Sequence, residues 1–175
     1  KILSDQLPTL SRLEGVNLFM TLRAAFNVLL HRYSGQQDSC VGTPIANRTH
    51  NEIEGLIGFF VNTLTLRSQV ESESSFKELL QQIKLNTLEA YEHQDVPFEK
   101  VVEVVVKERD MSRNPLFQVM LVMHNNPKVH ELSFGELQIS VDRHAHKTAQ
   151  FDLTFSIRQT DSGLHCARSE ERRVG

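Results

Sequence analysis

The chain has 175 residues, one domain's worth by length, and its 39% hydrophobic content is sufficient for a core. A net charge of -3 with 8 neutral histidines, and no stripe of lysine and arginine, offers no electrostatic footprint for nucleic acid or an anionic membrane. Cys40 and Cys166 form neither a disulfide framework nor a CxxC metal site, and no stretch approaches the ~20 apolar residues of a membrane span, so the expectation is a cytoplasmic chain with free thiols.

Leu7, Leu10 and Leu13 recur at helical spacing ahead of Gly15, which predicts a short amphipathic helix over residues 4–14. The next helix carries a stronger pattern. Asn17 can cap it, and Leu18, Leu22, Ala25, Phe26, Leu29, Leu30 and Tyr33 follow one face until Ser34-Gly35 closes it, which predicts a core helix. Residues 39–46 read as a short strand that Pro44 confines to an edge or a strand end. The polar run Asn47 to Glu52 reads as a loop.

Residues 60–67 read as a buried strand with Phe60, Asn62, Leu64 and Leu66 on one face, apolar but for Asn62. A buried primary amide without partners costs on the order of 1–3 kcal/mol, so Asn62 either ties down neighbouring backbone or lines a polar cavity. Both options stay open at this level. Ser75-Phe76-Lys77-Glu78 then has the form of a capping box, opening a helix whose apolar face is Phe76, Leu79, Leu80, Ile83, Thr87 and Ala90 and which runs to about Glu92.

His93-Gln94-Asp95-Val96-Pro97-Phe98-Glu99 ends that helix and starts another through Val101, Val102 and Val105, with Asp95 near an N-cap and Pro97 in the first turn. Arg109 to Pro115 is a charged turn. Leu116 to His124 is a near-continuous apolar run, expected to be a strand covered on both faces. Alternation predicts two later strands, one carrying Leu137, Ile139 and Val141, the other Phe151, Leu153, Phe155 and Ile157. Alternation is lost after Gly163-Leu164, and residues 165–175 read as a solvated tail.

The chemistry-bearing residues form no catalytic constellation. His93, Asp95 and Glu99 fit helix-end roles, with the acids favourable to the dipole. His144 and His146 lack a third ligand at metal spacing. Arg109 and Arg113 are expected to be compensated by Asp110 in a turn held by Pro115. Asn47-Arg48 and Asn62, at a strand end and inside a strand, are equally open to binding and to structural roles. No Gly-rich phosphate loop and no G-x-S-x-G elbow occurs.

Taken together, IGFFVNTL (57–64), HQDVPFE (93–99) and RDMSRNPLF (109–117), with FMTLRAAFNVLLHRYSG (19–35) and VGTPIANR (41–48), resemble the condensation domain of nonribosomal peptide synthetases. The resemblance implies an α/β (α+β sandwich) fold: a chloramphenicol-acetyltransferase-like lobe with a mixed sheet packed with helices. Residues 1–164 would be the C-terminal lobe, and 165–175 an atypical tail left by truncation or a frame shift.

In that family two lobes enclose a tunnel reached from opposite sides by two carrier-bound substrates, and the HHxxxDG active-site motif belongs to the N-terminal lobe. No two histidines are adjacent here, so no catalytic residue carries over, and this chain alone is expected to be inactive. The resemblance turns Gly42, Asn47 and Asn62 towards the tunnel. It makes His93, Asp95, Pro97, Arg109, Asp110, Arg113 and Pro115 structural. It implies peptide-bond formation between carrier-bound aminoacyl or peptidyl thioesters, with an N-terminal lobe, peptidyl carrier domains and adenylation domains as partners. Phosphopantetheine would arrive on the carriers' arms, with no cofactor or metal bound directly. A non-catalytic carrier-docking module and an acyltransferase of the chloramphenicol-acetyltransferase type are the alternatives.

Overall fold

The computed structural model describes residues 2–108, 110, 112–124, 148–160 and 162–170. Helices α1 (Ile2–Leu13) and α2 (Leu18–Ser34) lead into strand β1 (Asp38–Ile45). A short α3 (Asn51–Glu54) follows, then β2 (Asn62–Gln69), α4 (Phe76–Glu92) and α5 (Phe98–Val105). Strands β3 (Val119–His124), β4 (Leu153–Thr160) and β5 (Gly163–Glu170) are the last elements among the described residues. The sheet runs β2-β1-β3-β4-β5, antiparallel in the outer pairs β1/β2 and β4/β5 and parallel in β1/β3 and β3/β4. This is the expected mixed sheet packed with helices.

Helix α2 is the centre of the core because it is covered from two sides. The Asn17 side chain accepts from the Met20 N–H at its start, and Gly35 closes it at φ 71, where a side chain would be strained. Leu22, Phe26 and Leu30 pack with Val41, Leu121 and Ile157 of the sheet, while Met20 and Ala24 pack with Val70, Leu79, Leu80 and Ile83. Each large side chain buried this way contributes about 1.5–3 kcal/mol. The sequence pattern assigned Ala25, Leu29 and Tyr33 to the inner face, and all three are exposed. Contact on two sides rotates the buried surface onto Met20, Arg23, Ala24 and Asn27, a row that hydrophobic spacing does not reveal.

Arg23 is fully buried and ties α2 to its neighbours. Its Nη1 donates to Thr87 Oγ1 at 2.7 Å, and its Nη2 donates to Ser68 Oγ at 2.6 Å and the Arg67 carbonyl at 3.2 Å. Burial lowers its pKa to about 10, with Tyr91 and Cys40 pulling weakly the other way. Helix α4 starts as the sequence predicts. Ser75 Oγ accepts from the Glu78 N–H at 3.3 Å, and the Glu78 carboxylate accepts from the Ser75 N–H at 2.8 Å.

Other boundaries differ from expectation. Strand β2 begins at Asn62 rather than residue 60, and β3 at Val119 rather than 116. Strand β1 is interior, but its ladder to β3 spans only Val41 and Gly42, so Pro44 lies past it near the strand end. Pro97 is the N-cap of α5 rather than its first helical residue and supplies no side-chain cap; Asp95 does not cap the helix either. The solvated-tail expectation does not hold for residues 165–170, which belong to β5 and pair with β4 from Glu170 to Gly163. Both faces of this edge strand are largely exposed, leaving no apolar alternation to read. Arg109, the strand around Leu137 to Val141, His144 and His146 lie outside the described residues. No single helix among the described residues is long and apolar enough to cross a membrane.

Candidate functional site

The stretches singled out in the sequence meet through Asn62. Its Nδ2 donates at 2.8 Å to the carbonyls of both Gln94 and Val96, and its Oδ1 accepts from the Thr63 N–H at 2.9 Å and the Phe98 N–H at 3.1 Å. Both donors and both lone pairs of the amide are thereby used on backbone. The amide holds the elbow between α4 and α5, where His93 closes α4 and Asp95 and Pro97 are exposed.

From Phe98 the linkage continues through aromatic rings. Phe98 lies 5.7 Å from Phe117 between centroids, and Phe117 stacks at 5.4 Å on Phe151. The Phe117 ring sits over Gly42, where an added Cβ would come within 2.2 Å of it. Gly42 is therefore the seat of a ring and is buried. The turn before Phe117 is held by Asp110, which accepts from the Ser112 hydroxyl at 2.6 Å and N–H at 2.9 Å. Those bonds, the hydroxyl's first, hold the Asp110 carboxyl below its usual range, with a smaller contribution from exposed Arg113. Pro115 is exposed, and Asn114 beside it donates to the Gln150 carbonyl at 3.0 Å.

Asn47 has a different setting. A cleft of about 910 Å³ opens at the carboxyl ends of the parallel strands β1 and β3, bounded by residues 17–19 at the start of α2, 43–49 at and beyond the end of β1, 122–124 of β3, and Val61, Tyr91 and Gln94. Ligand crevices of open α/β sheets form at such strand ends. Asn47 lines this cleft at φ 51, and its Oδ1 is buried with no hydrogen-bond partner. A buried acceptor left unpaired costs free energy that a ligand donor would recover. Burial pushes the Tyr91 hydroxyl above its ordinary range, partly offset by Arg23, so it stays a donor at neutral pH. Arg48 is committed elsewhere: it donates to the carbonyls of Ile53 and Glu54 and stacks 4.3 Å from the Phe60 ring centroid. A second groove of about 570 Å³ between β2 and α4 is smaller and more open, and contains only His93 of the singled-out residues.

A family model described as Condensation domain matches residues 2–169. The chain belongs to the condensation-domain family. It is 45% identical over 168 residues to tyrocidine synthase 3 of Brevibacillus parabrevis, covering 95% of this chain and 3% of that protein. Malpinin synthetase of Mortierella alpina is 47% identical over 155 residues, covering 89% and 2%. This condensation-domain chain thus spans 3% and 2% of the length of these two relatives. In fold it matches a holo four-domain nonribosomal peptide synthetase bound to AMP and glycine, with a TM-score of 0.83 at 22% identity, over 94% of this chain and 14% of that one.

Of the three residues turned towards the tunnel by resemblance, Asn47 alone lines the cleft of this condensation domain; Gly42 and Asn62 act in packing and in the elbow. Tyr91 and His124 line the cleft too, and the sequence reading assigned neither a site role. Both sit at the carboxyl ends of their elements, the one positional signal that could have found them. No group of three His, Cys, Asp or Glu among the described residues could hold a metal ion.

Proposed function

We propose that this chain is the C-terminal lobe of a condensation domain and forms one wall of the tunnel in which an amide joins two carrier-bound thioesters. The amine of one substrate attacks the thioester carbonyl of the other, the C–S bond breaks, and the thiol leaves with the proton released by the amine. Such a reaction needs two tethered reactants held at high effective concentration, and polar groups aimed at the developing charge. The observation that carries the reading is the unpaired, buried Asn47 Oδ1 in a cleft at the strand ends of a condensation-domain sheet. Asn47 would orient a substrate N–H, and Tyr91, which lines the same cleft, would donate a hydrogen bond.

The partners in this reading are an N-terminal lobe carrying the HHxxxDG motif, peptidyl carrier domains bearing phosphopantetheine arms, and adenylation domains that load them. The compartment is the cytoplasm, consistent with two free cysteines. The test is amide formation by the complete protein, with both substrates loaded on carriers and products read by mass spectrometry. Asn47→Gly keeps the left-handed backbone without strain and removes only the amide. We expect it to lower the condensation rate about tenfold with the fold intact. Carrier binding with no amide formed by the unmodified protein would instead establish a docking module.

A further inference from the structure

We propose that His124, Arg158 and His165 form an anion rail at the mouth of the cleft, which takes the phosphodiester of a carrier's phosphopantetheine arm. The inference deepens the proposed function and rests on its carrier-borne substrates. Strand register carries the geometry. His124 of β3 is the direct partner of Arg158 on β4, and Arg158 is the direct partner of His165 on β5. Direct partners share a sheet face, and neighbouring strands lie about 4.8 Å apart, so the three basic side chains cross the sheet in a row about 10 Å long. Its inner end, His124, lines the cleft, and its outer members are exposed.

The row is electrostatically uncommitted. None of the three side chains has a hydrogen-bond or ion-pair partner among the described residues. Thr154 and Ser156, preceding Arg158 on the same face, are uncharged. Glu170, the acidic residue of β5, alternates to the opposite face and pairs there with Arg168 at 3.5 Å. An arginine flanked in register by two imidazoles sets N–H donors side by side on one sheet face, with no acceptor at the guanidinium, a donor set that suits a phosphate oxygen. Because the row begins at the cleft, an anion bound on it would be positioned to send an attached chain into that cleft.

Binding of phosphopantetheine, pantetheine and inorganic phosphate to the complete protein tests this by calorimetry, beside an Arg158→Gln/His165→Gln variant whose folding is checked by circular dichroism. We expect phosphopantetheine to bind about tenfold more tightly than pantetheine, and the variant to abolish that preference while leaving pantetheine affinity unchanged. Equal affinity for the two in the unmodified protein would overturn the proposal. Inorganic phosphate binding as tightly as phosphopantetheine would make this a free-anion site and overturn its assignment to the arm. A phosphate preference intact in a protein that forms no amide would uphold the rail and sink the condensing reading, so the two failures are distinguishable.

Discussion

Phe98 donates its backbone N–H to Asn62 Oδ1 at 3.1 Å across 36 residues of chain, and that bond fixes where α5 begins. Pro97 supplies no side-chain cap and no N–H, so the first free amide of α5 is satisfied by a strand residue instead of a local cap. The same amide holds two carbonyls of the elbow, so the entry of α5 and the end of α4 depend on one side chain.

Asn62→Leu therefore acts on stability. Two carbonyls and two N–H groups lose their partner, at a cost of about 2–3 kcal/mol because the elbow retains some solvent contact. Asn62→Asp keeps the acceptor but sets carboxylate oxygen against the carbonyls of Gln94 and Val96, so it does not rescue. Urea unfolding reads both. An unfolding midpoint unchanged by Asn62→Leu would contradict the anchoring role.

Gly42→Ala forces a methyl group into the Phe117 ring, and overpacking of this kind costs about 1–3 kcal/mol. Phe117→Leu alone also destabilises, by removing the ring between Phe98 and Phe151. The double variant is expected to be more stable than the sum of the two single losses, since each change relieves the other. Thermal unfolding of all three measures that coupling; strict additivity would mean the methyl is accommodated elsewhere.

Thr87→Val leaves a buried guanidinium donor without its partner and is expected to cost about 3 kcal/mol. Arg23→Met in the same background removes the charge that needed the hydroxyl, so the second substitution should recover part of that loss. Denaturant midpoints for the double-mutant cycle decide the sign of the coupling.

Acid should weaken α4 at its first turn. The Ser75 N–H and then its hydroxyl hold the Glu78 carboxyl below its usual range, so the folded state binds the proton less readily than the unfolded state. The contribution is complete above the ordinary glutamate pKa of about 4.3 and is lost as pH falls through the lower folded value. Ser75→Ala is expected to cost about 1 kcal/mol at neutral pH and to flatten this acid dependence. Circular dichroism melts across that pH range provide the check.

The local elements were legible because their signals are local. Asn17, Gly35 and the Ser75/Glu78 box act within one turn of helix, and the alternation Leu64, Leu66 and Leu153, Phe155, Ile157 reports a strand with one face towards apolar neighbours. Of the three residues that the resemblance turned towards a tunnel, Asn47 alone lies on the cleft. Tyr91 and His124 carry no spacing signal: they come to line the same cleft as Asn47 through the parallel pairing of β1 with β3 and the packing of α4 on α2 and β2.

By itself, the sequence determined where most helices and strands form, the family to which they belong and the polarity of Asn62 within an apolar strand, since propensity, capping and alternation depend on neighbours in the chain. Only the tertiary structure decided that Asn62 spends its whole amide on the α4–α5 elbow, that Gly42 seats Phe117, and that β5 pairs with β4. The physical reason is that hydrogen-bond partners and steric limits are set by distance in space. Asn62 and Phe98 come into contact only when strand and helices have packed.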